Sequence, residues 1–284
     1  MPVHIDPDLA MGPVRLSVAN LARSLTYYQQ TIGLTLLTQG QGVATLGVGE
    51  VPLLQLHELP GARLVRRATG LYHFALRLPS RPALAQVIQH FATIGYSLDG
   101  AADHIVSEAL YMSDPDGHGI EIYHDRPRHH WYDARGRMLL TTDPLDLGAI
   151  MLELPDDRGP AWAGLPPGTD MGHVHLQVAD LRAAEQFYLG VMGFERMAEL
   201  PGASFIGAGG YHHQLGMNTW AGAGVAAPPE HAARLLRYTL QFSSQALLQE
   251  LLDRLHTAGI APLEEPDGWL VRDPAHIWVH LQLR

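Results

Sequence analysis

Val14, Leu16 and Val18 share one face of an extended segment, with Arg15 and Ser17 on the other. Asn20 follows in the place of a helix N-cap, and Ala22-Arg-Ser-Leu-Thr-Tyr-Tyr28 has amphipathic helical spacing. The pattern returns at a constant offset of 160 residues, from Met11 to Met171. Val174, Leu176 and Val178 alternate with His175 and Gln177, Asp180 takes the N-cap position, and Arg182–Tyr188 continue as the helix. Gly33 is answered by Gly193. A repeat of this length marks a duplicated unit. The copies differ on the polar face of the leading strand, where Pro13 and Arg15 stand opposite His173 and His175.

Each repeat predicts further strands, in the first at Val43–Leu46 and Val51–Leu56. A second unit begins with the strand-like run Gly70–Leu78. Its helical spacing lies near Ala83–Ile94, and it closes with strands at Glu108–Met112 and Gly119–Tyr123, joined by the turn Asp114-Pro-Asp-Gly117. Residues 235–284 echo this unit, since Asp273-Pro274 answers Asp114-Pro115 and Gly259 answers Gly95. Residues 125–170 lose the periodicity and gain Pro, Gly and Asp. The expected organisation is a first pair of units over 1–124, a connection over 125–170 and a second pair over 171–284.

Composition narrows the class. Among 284 residues, 46% are hydrophobic and 17% charged, enough for a large core and against wholesale disorder. No apolar run approaches the roughly 20 residues of a membrane span, and the first residues lack the basic and apolar regions of a signal peptide. The absence of cysteine excludes disulfides and thiolate ligands, so any metal takes nitrogen and oxygen ligands. A formal charge of −10 repels nucleic acid and anionic lipid. A cytoplasmic protein acting on a small molecule is the expectation. Of its 17 histidines, His4, His57, His90, His118, His231 and His256 sit in polar or terminal settings and are expected in solvent.

Four strand–helix–three-strand units covering nearly the whole chain resemble the vicinal oxygen chelate superfamily. The resemblance implies an α+β fold of four βαβββ modules paired into two cupped mixed sheets. Gly70-Leu-Tyr-His-Phe-Ala-Leu76, Ser107-Glu-Ala-Leu-Tyr-Met-Ser-Asp-Pro-Asp-Gly-His-Gly-Ile-Glu-Ile-Tyr123 and Gly209-Gly-Tyr-His-His-Gln-Leu-Gly-Met-Asn218 look, more narrowly, like the two-domain catechol 2,3-dioxygenases of the Bacillus type. In that superfamily a unit offers metal ligands early in its first strand and on its last strand. Counting seven residues back from each helix start gives Pro13, His73, His173 and Arg237, and the last-strand positions are Glu121 and His280. His73, Glu121 and His173 thus supply the two imidazoles and one carboxylate used by non-haem Fe(II) oxygenases. Alternation supports Glu121, because Ile120 and Ile122 point the other way.

The resemblance extends to a second layer. Tyr111 and His104 match residues that contact the oxygens of a bound catecholate. His213 matches an acid–base histidine expected on a last-but-one strand, a role that suits imidazole at neutral pH. His212 is its alternative on the opposite face, and His175 shares a face with His173 as a residue of the pocket. His129-His-Trp-Tyr-Asp133 in the connection reads as a surface or lid segment. The implied activity is extradiol cleavage of an aromatic diol by O₂ with Fe(II). A metal-dependent isomerase or lyase of the glyoxalase kind, and a drug-sequestering binding protein, are the rivals. The ligand set further implies that the two middle units face each other, within one chain or between copies in a homo-oligomer. The outer units then form a cup without metal, since arginine stays protonated.

Overall fold

The computed structural model describes residues 4–154 and 161–284. The first unit comprises β1 (Ala10–Met11), β2 (Val14–Val18), α1 (Leu21–Thr26), β3 (Thr35–Gly40), β4 (Val43–Val48) and β5 (Val51–Glu58). The second has β6 (Gly70–Leu78), α2 (Arg81–Ile94), β7 (Gly100–Asp103), β8 (Ser107–Ser113) and β9 (Gly119–Asp125). The connection holds β10 (Asp143–Pro144) and α3 (Leu147–Met151). The third unit has β11 (Asp170–Gln177), α4 (Leu181–Glu185), β12 (Glu195–Leu200), β13 (Ala203–Gly207) and β14 (Leu215–Asn218). The fourth has β15 (Leu235–Phe242), α5 (Gln245–Thr257), β16 (Leu263–Glu265), β17 (Gly268–Arg272) and β18 (Trp278–Leu283). No helix among the described residues is long and apolar enough to cross a membrane.

Side-chain chemistry fixes the helix starts. Asn20, Ser80, Asp180 and Ser244 each accept a hydrogen bond from the backbone N–H three residues on. The two repeat helices end differently from the regular helix their spacing predicts. Each widens into a π-helical turn, Tyr27–Ile32 and Gln186–Met192, closed by Gly33 (φ 90°) and Gly193 (φ 89°). These glycines take the left-handed conformation that a side chain disfavours.

The units combine across the halves of the chain. One sheet runs β16-β17-β18-β15-β2-β5-β4-β3, with β1 on β15, and so joins the first unit to the fourth. The other runs β10-β7-β8-β9-β6-β11-β14-β13-β12 and joins the second unit to the third. Within a unit the first and last strands are parallel neighbours, while β2–β15 and β6–β11 meet antiparallel at the centre of each sheet. The middle units therefore face each other within one chain.

Consecutive units are held together by a different device. The Tyr28 hydroxyl donates to Asp114 Oδ2 at 2.9 Å, and the Tyr188 hydroxyl donates to Asp273 Oδ2 at 2.8 Å. All four residues are buried. The same carboxylates fold their own turns, Asp114 accepting from the His118 N–H and Asp273 from the Ile277 N–H. The recurring tyrosine and the recurring Asp-Pro are thus two ends of one contact. His118 crosses in the same place, its Nε2 lying 2.9 Å from the Ser17 carbonyl. It is buried, as is His90, which stacks on Trp162 at 4.2 Å and reaches the Gln30 carbonyl. The expectation of solvent exposure for these two histidines is corrected: their partners come from other units, which local polarity does not reveal.

Tyr28→Phe leaves one buried Asp114 oxygen without its donor, which typically costs about 1–3 kcal/mol. Thermal or denaturant unfolding of Tyr28→Phe and Tyr188→Phe is expected to show a loss of that size in each. Wild-type stability in both would remove the clamp.

Candidate metal centre and its pocket

The site grows from the centre of the middle sheet. Glu121 on β9 pairs with Ala75 on β6, which pairs with His173 on β11, so three side chains stand in a row on one face. His73 follows Ala75 two residues earlier on the same face, opposite His175. The methyl of fully buried Ala75 leaves room above it. Into that space the larger residues converge: His73 Nε2 lies 3.0 Å from Glu121 Oε2, His173 Nε2 3.3 Å from the same oxygen, and the two Nε2 atoms are 3.2 Å apart. Irregularities in the β6–β11 register at Gly172 and Tyr72 flank the cluster; such bulges re-aim side chains. Arg77 closes the register at the strand ends by gripping Asp170 with two nitrogens, at 3.0 and 2.6 Å.

The donor chemistry fits a cation. Both rings turn the same nitrogen toward one carboxylate oxygen, yet two Nε2 atoms at 3.2 Å have no proton to share when each donates to Glu121. Burial alone pushes the Glu121 pKa up, but the facing His173 and His73 bring it well below the ordinary carboxylate range. Burial lowers His173 to about 4 against the opposing pull of Glu121. A deprotonated carboxylate beside a neutral imidazole is the state in which ligands bind metal.

The remaining sequence-derived residues surround this cluster. Tyr111 on β8 lies directly across from Glu121, and burial together with Glu121 raises its hydroxyl pKa well above the ordinary value. Its hydroxyl meets His104 Nε2 at 2.6 Å, while His104 Nδ1 meets the Thr141 carbonyl at 2.6 Å. A carbonyl only accepts, so Nδ1 carries the proton and Tyr111 donates to Nε2. His213 lies tilted against His173, ring centroids 4.2 Å apart. It sits in the loop before β14, not on a strand as expected, and the loop is anchored by Gln214, whose N–H donates to the Ile206 carbonyl, whose carbonyl accepts from the Val174 N–H and whose side-chain oxygen accepts from the Ala208 N–H. His212 points behind His213, against Trp131 at 5.0 Å and Tyr211 at 4.2 Å, and its ring meets Asp125 at 2.8 Å. His175 lies flat over Gly216, where a Cβ would stand 2.8 Å from its ring, and Nε2 meets the Asn218 amide at 3.0 Å. The Gly-Met-Asn motif thus makes room for one histidine and fixes its ring.

A cavity of about 210 Å³ opens onto His73, Glu121, His104, Tyr111, His175 and His213. Its other walls are largely apolar, from Tyr72, Val106, Leu140, Leu200, Phe205 and Trp220, a lining that suits a small flat ring with a polar edge. A larger cleft of about 690 Å³ shares His73 and Tyr111 but lacks Glu121, His104 and His213, so the chemistry belongs to the smaller one. Sequence reasoning missed Phe205, Trp220, Leu140 and Thr141. The connection gave no signal beyond its lost periodicity, yet it supplies a wall of the cavity and the partner of His104. His129 and His130 are exposed on its surface, while Trp131 is buried against His212.

The outer sheet has a second convergence, Glu265, Asp267 and His280, with donor atoms within 4.8 Å. Arg237 Nη1 already holds Glu265 at 2.7 Å, and Arg15 faces Arg237 across the β2–β15 pair. Burial, with the charge of Arg237, lowers the Arg15 pKa. The two carboxylates of this cup are matched by two guanidinium groups, so it carries no surplus negative charge to draw a cation.

A family model described as the Glyoxalase/Bleomycin resistance protein/Dioxygenase superfamily matches residues 10–122 and 170–281. A catechol-2,3-dioxygenase of Bacillus subtilis is 40% identical over 280 residues, which is 95% of each chain. Among solved structures, one from Bacillus subtilis subsp. subtilis superposes with a TM-score of 0.66 at 11% identity, covering 99% of this chain and 86% of that one. Glyoxalase I from Zea mays gives 0.58 at 16% identity, covering 97% and 92%. At these identities the structures speak for the fold alone. With matched modules in both halves and a relative this similar along nearly its full length, the chain belongs to the glyoxalase/bleomycin resistance protein/dioxygenase superfamily.

Proposed function

We propose that this protein is an Fe(II)-dependent extradiol dioxygenase acting on catechol or a substituted catechol. The carbon–carbon bond beside the diol breaks, both atoms of O₂ enter the product, and a 2-hydroxymuconic semialdehyde results. The observation that carries the reading is the buried convergence of His73, Glu121 and His173, two of which, His73 and Glu121, line a ring-sized cavity. The 40% identical catechol-2,3-dioxygenase supports it. Bound Fe(II) would supply adjacent sites for both diol oxygens and O₂ and let electron density pass between them.

The chain's own residues supply binding and proton handling. His73, Glu121 and His173 would hold the metal, leaving one side of it open to the cavity. Tyr111, locked to His104, presents a fixed phenol beside Glu121 where a diol oxygen would sit. Phe205, Trp220 and Tyr72 line the cavity where they would pack against the ring of a bound diol. Burial and the neighbouring His173 lower the His213 pKa well below the ordinary imidazole value. Its free nitrogen is then unprotonated at neutral pH and accepts a proton from the substrate before returning it to product oxygen.

Three outcomes are expected. Protein loaded anaerobically with Fe(II) consumes O₂ and catechol one for one and forms a yellow product, and a chelator abolishes the reaction until Fe(II) is restored. Turnover that persists without iron, or that needs no O₂, would overturn the proposal. His213→Ala keeps its metal content and catechol KM, while kcat falls by about 10²–10⁴-fold; steady-state kinetics beside metal analysis check this, and an unchanged kcat removes His213 from the chemistry. Metal analysis of wild-type protein gives one ion per chain. His173→Ala and Glu121→Ala lose it, while His280→Ala does not; the reverse pattern would move the site to the outer sheet.

A further inference from the structure

Behind His213 a chain of hydrogen bonds leads away from the cavity. His213 Nδ1 meets His212 Nδ1 at 2.8 Å, and His212 Nε2 meets Asp125 Oδ1 at 2.8 Å. The other Asp125 oxygen receives the Tyr211 hydroxyl at 3.0 Å and Arg77 Nη1 at 3.3 Å. The His212 ring is 1% exposed and closed in by Trp131 and Tyr211, so water does not compete for either nitrogen.

The chain has a direction. Two Nδ1 atoms at hydrogen-bond distance share one proton, and geometry alone does not say which ring owns it. Asp125 decides the matter. Burial pushes its pKa up, but His212, Arg77 and Tyr211 bring it below the ordinary carboxylate value. As a carboxylate it only accepts, so His212 Nε2 carries the proton. The other Asp125 oxygen already has Tyr211 and Arg77 as donors, and the His212 ring, closed off from water, is held most cheaply as the neutral imidazole. A neutral His212 then has a lone pair on Nδ1, and His213 Nδ1 must donate to it.

We infer that Asp125 and His212 are positioning residues that hold His213 as the Nδ1–H tautomer, leaving Nε2 unprotonated on the ring that lines the cavity. The functional weight of this rests on the ring-cleavage reading, while the tautomer itself does not. The opposite tautomer would present an N–H to the substrate at the moment a proton must be taken from it. A polar group behind a site histidine is the usual means of choosing its tautomer.

Long-range ¹H–¹⁵N correlation spectra of the metal-free protein read the tautomer directly. Wild type is expected to show His213 protonated at Nδ1, with Nε2 bare. In Asp125→Asn the amide no longer imposes a direction, and the His213 ring nitrogens should shift toward averaged values. Tyr211→Phe removes a bond on the far side of Asp125 and should leave the wild-type pattern. In the metal-loaded protein Asp125→Asn should lower kcat on catechol by about 10–100-fold, with KM within about twofold and metal content unchanged. Should Asp125→Asn fail to fold, His212→Asn carries the same kinetic expectation. A wild-type His213 bearing its proton on Nε2, or a doubly protonated His212, overturns the inference, as does Asp125→Asn with an unchanged tautomer. An Nδ1–H tautomer lost in Asp125→Asn upholds it even if catechol is not turned over, in which case the ring-cleavage reading is what fails.

Discussion

The antiparallel contact between β6 and β11 is the constraint on which everything else depends. It brings the second unit against the third, and only there do His73 and Glu121 from one half of the chain meet His173 from the other. Arg77 and Asp170, opposite each other and doubly bonded, set its register. A one-residue slip would turn every side chain to the other face and scatter the convergent nitrogens. At the crossing stands fully buried Ala75, paired with both Glu121 and His173, and a larger side chain there would crowd the donors.

The same molecule is organised a second way. Sheets pair the second unit with the third and the first with the fourth, while the buried Tyr–Asp contacts bind first to second and third to fourth. The two schemes interlock, so neither sheet separates without breaking contacts inside both halves. This explains why the repeats keep a tyrosine on the helix and an Asp-Pro on the turn although neither lies at the candidate site.

Electrostatics separates the two cups. The middle cup buries one carboxylate among imidazole rings, a charge that is costly to bury without a countercharge. The outer cup places Arg15 and Arg237 side by side and answers them with Glu265 and Asp267. One fold, duplicated, thus holds a cation-seeking cluster and a self-neutralised one. The difference traces to a few positions, His173 against Pro13 and Arg237 against His73.

The sequence by itself determined the four units, their helix caps, and the facing of the middle pair. Periodicity and capping act over a few residues, and once the family resemblance says where a unit offers ligands, the count needs only equivalent positions in the repeat. It also singled out the histidines, tyrosine and glutamate that the structure gathers around one cavity. Tertiary structure alone decided that one chain suffices for the pairing, since a dimer brings together the same strands. It decided that the aperiodic connection walls the cavity with Leu140 and seats Trp131 behind His212. It also decided that His118 and His90 are buried and that Asp125 stands behind His212. These relations join residues far apart in sequence, between which local pattern carries no information: whether a polar side chain meets water or a partner depends on which distant element arrives opposite it.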